Sequence, residues 1–290
     1  MGQRLLVGLV AVAVVVGLVR YSACNKPSVA PKPAGDGPSA HVTEPERTTA
    51  KTADELPKPK DPAVAAAIDE LLAAWDKVSS VSAAVETMIP EAAGNEGQTT
   101  GKGKYYLQKQ DGKTRINFEL RNTLHILQEE GKKLLTGEIL QWVIDGEHLY
   151  TFTNQPGFQQ ASKKKLDYGE VMQIGGRLLF RDLIANNKLS LLPEEMLDGR
   201  AARVMLATPN DGAWKTTHYF DKATGIRLKM EETDAEGKST LRITLLDLDV
   251  TSSISEDKFV FTVPEDVKFV DETAQTQPEV KDRSRRVSPD

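Results

Sequence analysis

The sequence predicts an α+β protein: a curved antiparallel sheet forming an incomplete, half-open β-barrel of roughly ten or eleven strands, covered by lid helices. Three observations lead there. Segments of strand period recur at spacings of roughly ten residues, each joined to the next by a turn signal. Several alternate between an apolar and a polar face, as half-buried antiparallel strands do. Two other apolar segments carry helical spacing instead, one ahead of the strands and one in their midst.

The N-terminus sets the compartment. Met1–Arg4 is a short basic region, Leu5–Val19 is unbroken apolar chain, and Cys24, the one cysteine of 290 residues, follows Arg20-Tyr21-Ser22-Ala23. Residues 1–24 therefore read as a lipoprotein-type signal peptide or membrane anchor, with Cys24 the lipidation candidate. Tyr21 stands where an aliphatic residue is usual, which leaves an uncleaved anchor as the rival, and it also disfavours the A-x-A type site that the third route, simple release, needs. As a helix, Leu5–Val19 spans roughly 22 Å against a hydrocarbon core of about 30 Å. All three routes place the body in the cell envelope, facing the periplasm or exterior; the first two leave it membrane-anchored.

Residues 25–62 form a Pro/Ala-rich linker holding eight of the fifteen prolines, without apolar periodicity. Residues 274–290 read as a disordered tail, which leaves 63–273 as the folded domain. A net charge of −5 without a basic stripe argues against nucleic acid as a partner.

The domain opens with a helix: Asp61 caps it, Pro62 suits its first turn, and Val64, Ile68, Leu71, Leu72, Trp75 and Val78 share one face. Strands follow. Thr100–Gln110 turns through Asp111-Gly112 into Lys113–Arg121, where Ile116, Phe118 and Leu120 alternate with polar residues. Ile139–Ile144 and Glu147–Thr153 flank Asp145-Gly146, and Ala201–Thr208, Trp214–Asp221, Ile226–Thr233 and Ser239–Val250 continue the meander. The interruption is Tyr168–Ala185, with Val171, Met172, Leu178, Leu179, Leu183 and Ile184 as lid candidates and Gly175-Gly176 as a break between two short helices or a kink.

The predicted apolar interior gives the hydrophobic cavity candidates: Ile116, Phe118, Leu120, Trp142, Ile144, Tyr150, Phe152, Ile226, Leu228, Met230, Leu241 and Ile243. No catalytic constellation accompanies them. His41, His125, His148 and His218 are scattered without metal-ligand spacing, and nucleophile-elbow, phosphate-loop and paired-cysteine motifs are absent. Asp247 and Asp249 read as solvent-facing rather than an acid/base pair, and Lys163-Lys164-Lys165 as a solvated strand end. The expectation is a non-enzyme with no cofactor and no metal.

Four segments carry a family resemblance. Leu71–Val85, Gly101–Leu120 and Val143–Ala161 (VIDGEHLYTFTNQPGFQQA) lead to Tyr219–Asp271, with Asp221-Lys222-Ala223-Thr224-Gly225 and the F-x-F-x-x-P-x-x-V ending at Phe259–Val267. These resemble the LolA/LolB family of periplasmic lipoprotein carriers and receptors, whose relatives include RseB/MucB-type sensors and mycobacterial lipid-binding lipoproteins. The resemblance implies binding of acyl chains or lipoproteins in a half-barrel, in outer membrane lipoprotein-sorting or lipid transfer. An RseB/MucB-like sensor regulating an envelope protein partner is the alternative, and a structural envelope protein the second alternative. The family carrier's latch arginine has no counterpart in Gln108-Lys109-Gln110-Asp111, so no latch residue is assigned.

Overall fold

The computed structural model describes residues 56–90, 97–127, 133–167, 172–209 and 214–273. Helix α1 spans Pro62–Trp75, with the Asp61 carboxylate accepting the Ala63 N–H at 2.8 Å and Pro62 in the first turn, where its missing N–H costs nothing. Six strands follow as a meander: β1 (Ser80–Ile89), β2 (Gly97–Gln110), β3 (Lys113–Leu127), β4 (Lys133–Ile144), β5 (His148–Gln155) and β6 (Phe158–Lys165). Helix α2 (Arg177–Asn186) leads to a second meander of β7 (Asn187–Leu197), β8 (Arg200–Pro209), β9 (Lys215–Asp221), β10 (Arg227–Thr233) and β11 (Ser239–Asp249). A short β12 (Phe269–Asp271) ends the described chain.

The strands form one open twelve-stranded sheet in the order β12-β6-β5-β4-β3-β2-β1-β11-β10-β9-β8-β7. The two meanders join where β1 pairs antiparallel with β11, and only β12 runs parallel to its neighbour, β6. The count exceeds the ten or eleven expected because β7 and β12 carry no clean alternation. Strand β7 lies at the edge, where Pro193 leaves no ladder hydrogen bond unmade. Its link to β8 is Asp198-Gly199, with φ of 47° and 75°, the same left-handed pair as Asp111-Gly112 at 52° and 72°.

Directly paired residues project to the same face of a sheet, so the register traces one face across the molecule. Met205, His218, Met230, Ile243, Thr87, Gly101, Asn122 and Glu138 pair in sequence from β8 to β4. This is the inner face, because both helices lie on it. Val64, Ile68, Leu71 and Leu72 of α1 and Leu179, Phe180 and Leu183 of α2 form one buried cluster with Met205, Ala207 and Phe220. The larger cluster joins β1–β5, β10 and β11 to Trp75, Val78, Met172 and Ile174. Of Tyr168–Ala185, residues 168–171 lie outside the described residues, 172–174 have no regular structure, the chain bends at Gly175-Gly176, and among the described residues one helix forms where two short helices or a kink were expected.

Candidate functional site: the inner face and its cover

Strands β1 to β4 present apolar residues inward at alternate positions. Val81, Ala83 and Val85 on β1, Tyr105 and Leu107 on β2, Ile116, Phe118 and Leu120 on β3, and Leu140 and Ile144 on β4 are all buried in one cluster. Phe118 is central, its ring 5.4 Å from Trp142 and 6.4 Å from Tyr105. Strands β2 and β3 approach closely because Gly103 has no side chain; a Cβ there would lie 1.8 Å from the Glu119 carbonyl oxygen.

Of the sequence-derived cavity candidates, Ile116, Phe118, Leu120, Ile144, Ile226, Leu241 and Ile243 share this cluster, with Trp142 and Met230 half-buried against it. Leu228 is buried but belongs to none of the apolar clusters; it sits at a bulge where β10 shifts register against β9. Tyr150 and Phe152 must be reassigned. Ile144 pairs with Leu149 and Val143 with Tyr150, so Tyr150 and Phe152 project from the outer face. The reason is parity: an even-numbered hairpin loop pairs even positions with odd ones, so Trp142 and Ile144 cannot share a face with Tyr150.

The outer face explains those aromatics. After β11 the chain crosses that face to reach β12, hydrogen-bonding as it goes. Arg115 pairs with Glu256, the Asn117 amide donates to the Lys258 carbonyl at 2.6 Å, and Phe261 stacks on Tyr150 at 5.5 Å. The two phenylalanines of the F-x-F ending thus belong to a strap, with Phe259 buried and Phe261 on Tyr150. His148 lies on this outer side, 3.5 Å from the Asp145 carboxylate.

The inner cover centres on Trp75 at the end of α1. Gly175, Gly176 and Gly225 make room for it. A Cβ at Gly175 would lie 2.6 Å from the indole ring, one at Gly176 2.6 Å from the indole nitrogen, and one at Gly225 2.1 Å from the Leu71 carbonyl oxygen. Gly225 ends the Asp221-Lys-Ala-Thr-Gly turn, in which the buried Asp221 carboxylate accepts from Thr224 Oγ1 at 2.7 Å and Arg200 Nη1 at 3.0 Å. That motif shapes a turn. Lys109 was not singled out as functional, yet its ammonium lies 3.8 Å from the Trp75 ring centroid and donates to the Trp75 carbonyl at 2.8 Å. Burial lowers its pKa to about 8, against the opposing pull of Asp76.

Among the lid candidates, Met172 joins the larger cluster, Leu179 and Leu183 the smaller, and Ile184 packs on the latter. Leu178 is half-buried and Val171 lies outside the described residues. Two residues not anticipated, Ile174 and Phe180, are buried with them. Arg227 clamps this segment: its backbone N–H donates to the Ile174 carbonyl and its guanidinium to the Gln173 carbonyl, each at 2.6 Å. The same guanidinium lies 3.4 Å from His218 Nδ1. Since arginine only donates, Nδ1 accepts and the proton sits on Nε2, which is buried without a hydrogen-bond partner. Burial, reinforced by the Arg227 charge, drives the His218 pKa well below its ordinary value. Burial also raises the Tyr105 hydroxyl far above the ordinary tyrosine range.

Asp249 accepts the Thr251 and Ser252 backbone N–H groups and works as a turn cap. No group of His, Cys, Asp and Glu able to hold a metal ion occurs among the described residues, and no described helix is long and apolar enough to cross a membrane. His125's side chain, His41 and Cys24 lie outside what is described.

No protein-family model matches the chain, and no curated protein matches it. Solved structures of similar shape include an uncharacterized conserved protein from Thermus thermophilus, at 14% identity and TM-score 0.44, covering 72% of this chain and 99% of that one. A second is the MucA/MucB complex of Pseudomonas aeruginosa, at 19% identity and TM-score 0.35, covering 68% of this chain and 62% of that one. A third is an outer membrane lipoprotein-sorting protein domain from Vibrio parahaemolyticus, at 13% identity and TM-score 0.30, covering 67% and 94%.

Proposed function

We propose that this chain is a non-enzymatic, membrane-tethered envelope protein that binds an acyl chain, free or on a lipoprotein, against the inner face of a half-open barrel. The observation that carries the reading is a continuous apolar surface running from β1 to β5 and onto β10 and β11, closed over by Trp75, Met172 and Ile174. Such a surface binds by burial: each methylene removed from water contributes about 0.8 kcal/mol, so a long chain needs no specific polar contact. Segment 172–176 and α2 are the lid, and loading requires the Arg227 clamp and the Trp75 seat to release together. Cys24 takes the lipid anchor, and the linker lets the domain reach on the order of 35 Å from the membrane.

Trp142 and Met230 test this well because both are half-buried on the inner face and tolerate a charge better than fully buried neighbours. Trp142→Glu and Met230→Glu are expected to abolish binding of a fluorescent fatty acid while circular dichroism remains that of the wild type. A folded variant with unchanged affinity would contradict the proposal. A fatty-acid label on the wild type that Cys24→Ser loses is the expected signature of the anchor; an unlabelled wild type beginning at Met1 would make the anchor a transmembrane helix instead.

The sensor reading has one observation of its own. Edge strand β7 leaves one side of its backbone unpaired, and Met196 on it is 66% exposed. An edge of that kind accepts a strand from a partner protein.

A further inference from the structure

On the inner face, four adjacent strands change character at the same level. Val85, Gly103, Leu120 and Leu140 pair across β1, β2, β3 and β4 as the last apolar row before the change. Two residues along each strand, the paired row is Thr87, Gly101, Asn122 and Glu138. Two of its side-chain oxygens lie directly over Gly101: a Cβ there would lie 2.3 Å from both Asn122 Oδ1 and Thr87 Oγ1, and 3.1 Å from Leu120 Cδ1. The contact with Leu120 shows that this polar row adjoins the apolar surface.

The row is incomplete in its hydrogen bonding. Asn122 is 4% exposed, and its amide nitrogen donates to Glu138 Oε2 at 3.0 Å. That bond fixes which way the amide points and leaves Oδ1 buried without a partner. Glu138 Oε1 is likewise buried and unpartnered. Two orphaned acceptors in one row, one on a carboxyl group, are costly to bury and call for a donor. Burial raises the Glu138 pKa and the Asn122 amide lowers it, and no cation among the described residues contributes. An anionic head group is therefore repelled here, whereas an ammonium supplies N–H donors and the missing positive charge.

We propose that the Thr87–Asn122–Glu138 row is the head-group subsite of this protein and takes the ammonium of an amine-bearing amphiphile, whose tail lies on Phe118, Leu120 and Leu140. The inference rests on the acyl-binding reading above and adds the polarity of the ligand. A free alkylamine and an aminophospholipid share this chemistry.

The test is equilibrium binding of dodecylammonium, dodecanoate and dodecanol to the full-length protein, each below micelle formation. The tails are identical, so the head group alone distinguishes them. Dodecylammonium is expected to bind about tenfold more tightly than dodecanoate. Glu138→Gln, nearly isosteric, and Gly101→Ala, whose Cβ displaces the two oxygens, should each erase that preference. Glu119→Gln, on the outer face, alters net charge equally and should leave the preference intact. Equal affinity for all three amphiphiles overturns the subsite and leaves the tail reading standing. Binding of none overturns the tail reading and this inference with it. If the preference holds, competition by phosphatidylethanolamine but not phosphatidylglycerol identifies an aminophospholipid as the source, and competition by neither assigns the site to free amines.

Discussion

Replacing Gly175 by alanine separates a moving lid from a fixed core. Gly175 has no left-handed backbone, so alanine fits its conformation, and the whole effect comes from one methyl group. That methyl would lie 2.6 and 2.9 Å from two carbons of the Trp75 ring and 3.1 Å from the Gly225 carbonyl oxygen. Carbon pairs are optimal at about 3.5–4.0 Å, so ring and segment must part by roughly 1 Å. Overpacking of this size costs about 1–3 kcal/mol. In a domain of this length each kcal/mol moves Tm by roughly 2–4 °C, which gives an expected fall of about 2–12 °C. The control is Gly137→Ala, on an exposed strand position with no atom within 4 Å of the new Cβ, where Tm should hold or rise slightly. Calorimetry reads the stability, and stopped-flow uptake of a fluorescent fatty acid reads the gate. With a mobile lid, Gly175→Ala loads faster as well as melting lower. A lower Tm with an unchanged loading rate would make segment 172–176 fixed cover, and an unchanged Tm would refute the packing of Gly175 on Trp75.

Two further perturbations address the core beneath the lid. His218 is buried and held neutral, its folded pKa depressed below the unfolded value near 6.5, so the unfolded chain takes up a proton first as pH falls. Its stabilising effect is complete above about pH 6.5 and is lost progressively below it, with a slope approaching about 1.4 kcal/mol per pH unit; His218→Phe should flatten the wild-type fall in urea midpoint between pH 7.5 and 5. An identical slope in both proteins would show that His218 ionises without penalty. Gly103→Ala drives a Cβ to within 1.8 Å of the Glu119 carbonyl oxygen, a backbone atom that cannot rotate away. Loss of the cooperative melt, or a destabilisation above about 4 kcal/mol, is expected, and a near-native Tm would contradict the β2–β3 register.

Much of this was legible in the residues, for local reasons. Asp61-Pro62 and the spacing of Val64, Ile68 and Leu71 fixed α1, since cap chemistry and period act within one helix. Asp111-Gly112 marked the β2–β3 hairpin through its left-handed pair. Strand β7 escaped because Pro193 and consecutive leucines mask its period, although Asp198-Gly199 carries the same turn signal. Tyr150 and Phe152 lie on the outer face by parity, which the alternation within their own strand does not reveal and the even-numbered loop at Asp145-Gly146 does. Gly175-Gly176 reads as a break between two short helices or a kink, but the two glycines make room for the Trp75 ring, a contact between segments far apart in the chain. The polar row was invisible for the same reason: Thr87, Asn122 and Glu138 meet only through the register of four strands.

Native mass spectrometry of the full-length protein, extracted from membranes and released gently from detergent, tests acyl binding by the inner face most directly. The expected spectrum carries an adduct of lipid mass that collisional activation removes as an intact amphiphile, and Trp142→Glu should lack it. A wild-type spectrum at the bare polypeptide mass plus its anchor, with no adduct even after incubation with fatty acids or aminophospholipids, would contradict acyl binding and leave the inner face as ordinary core.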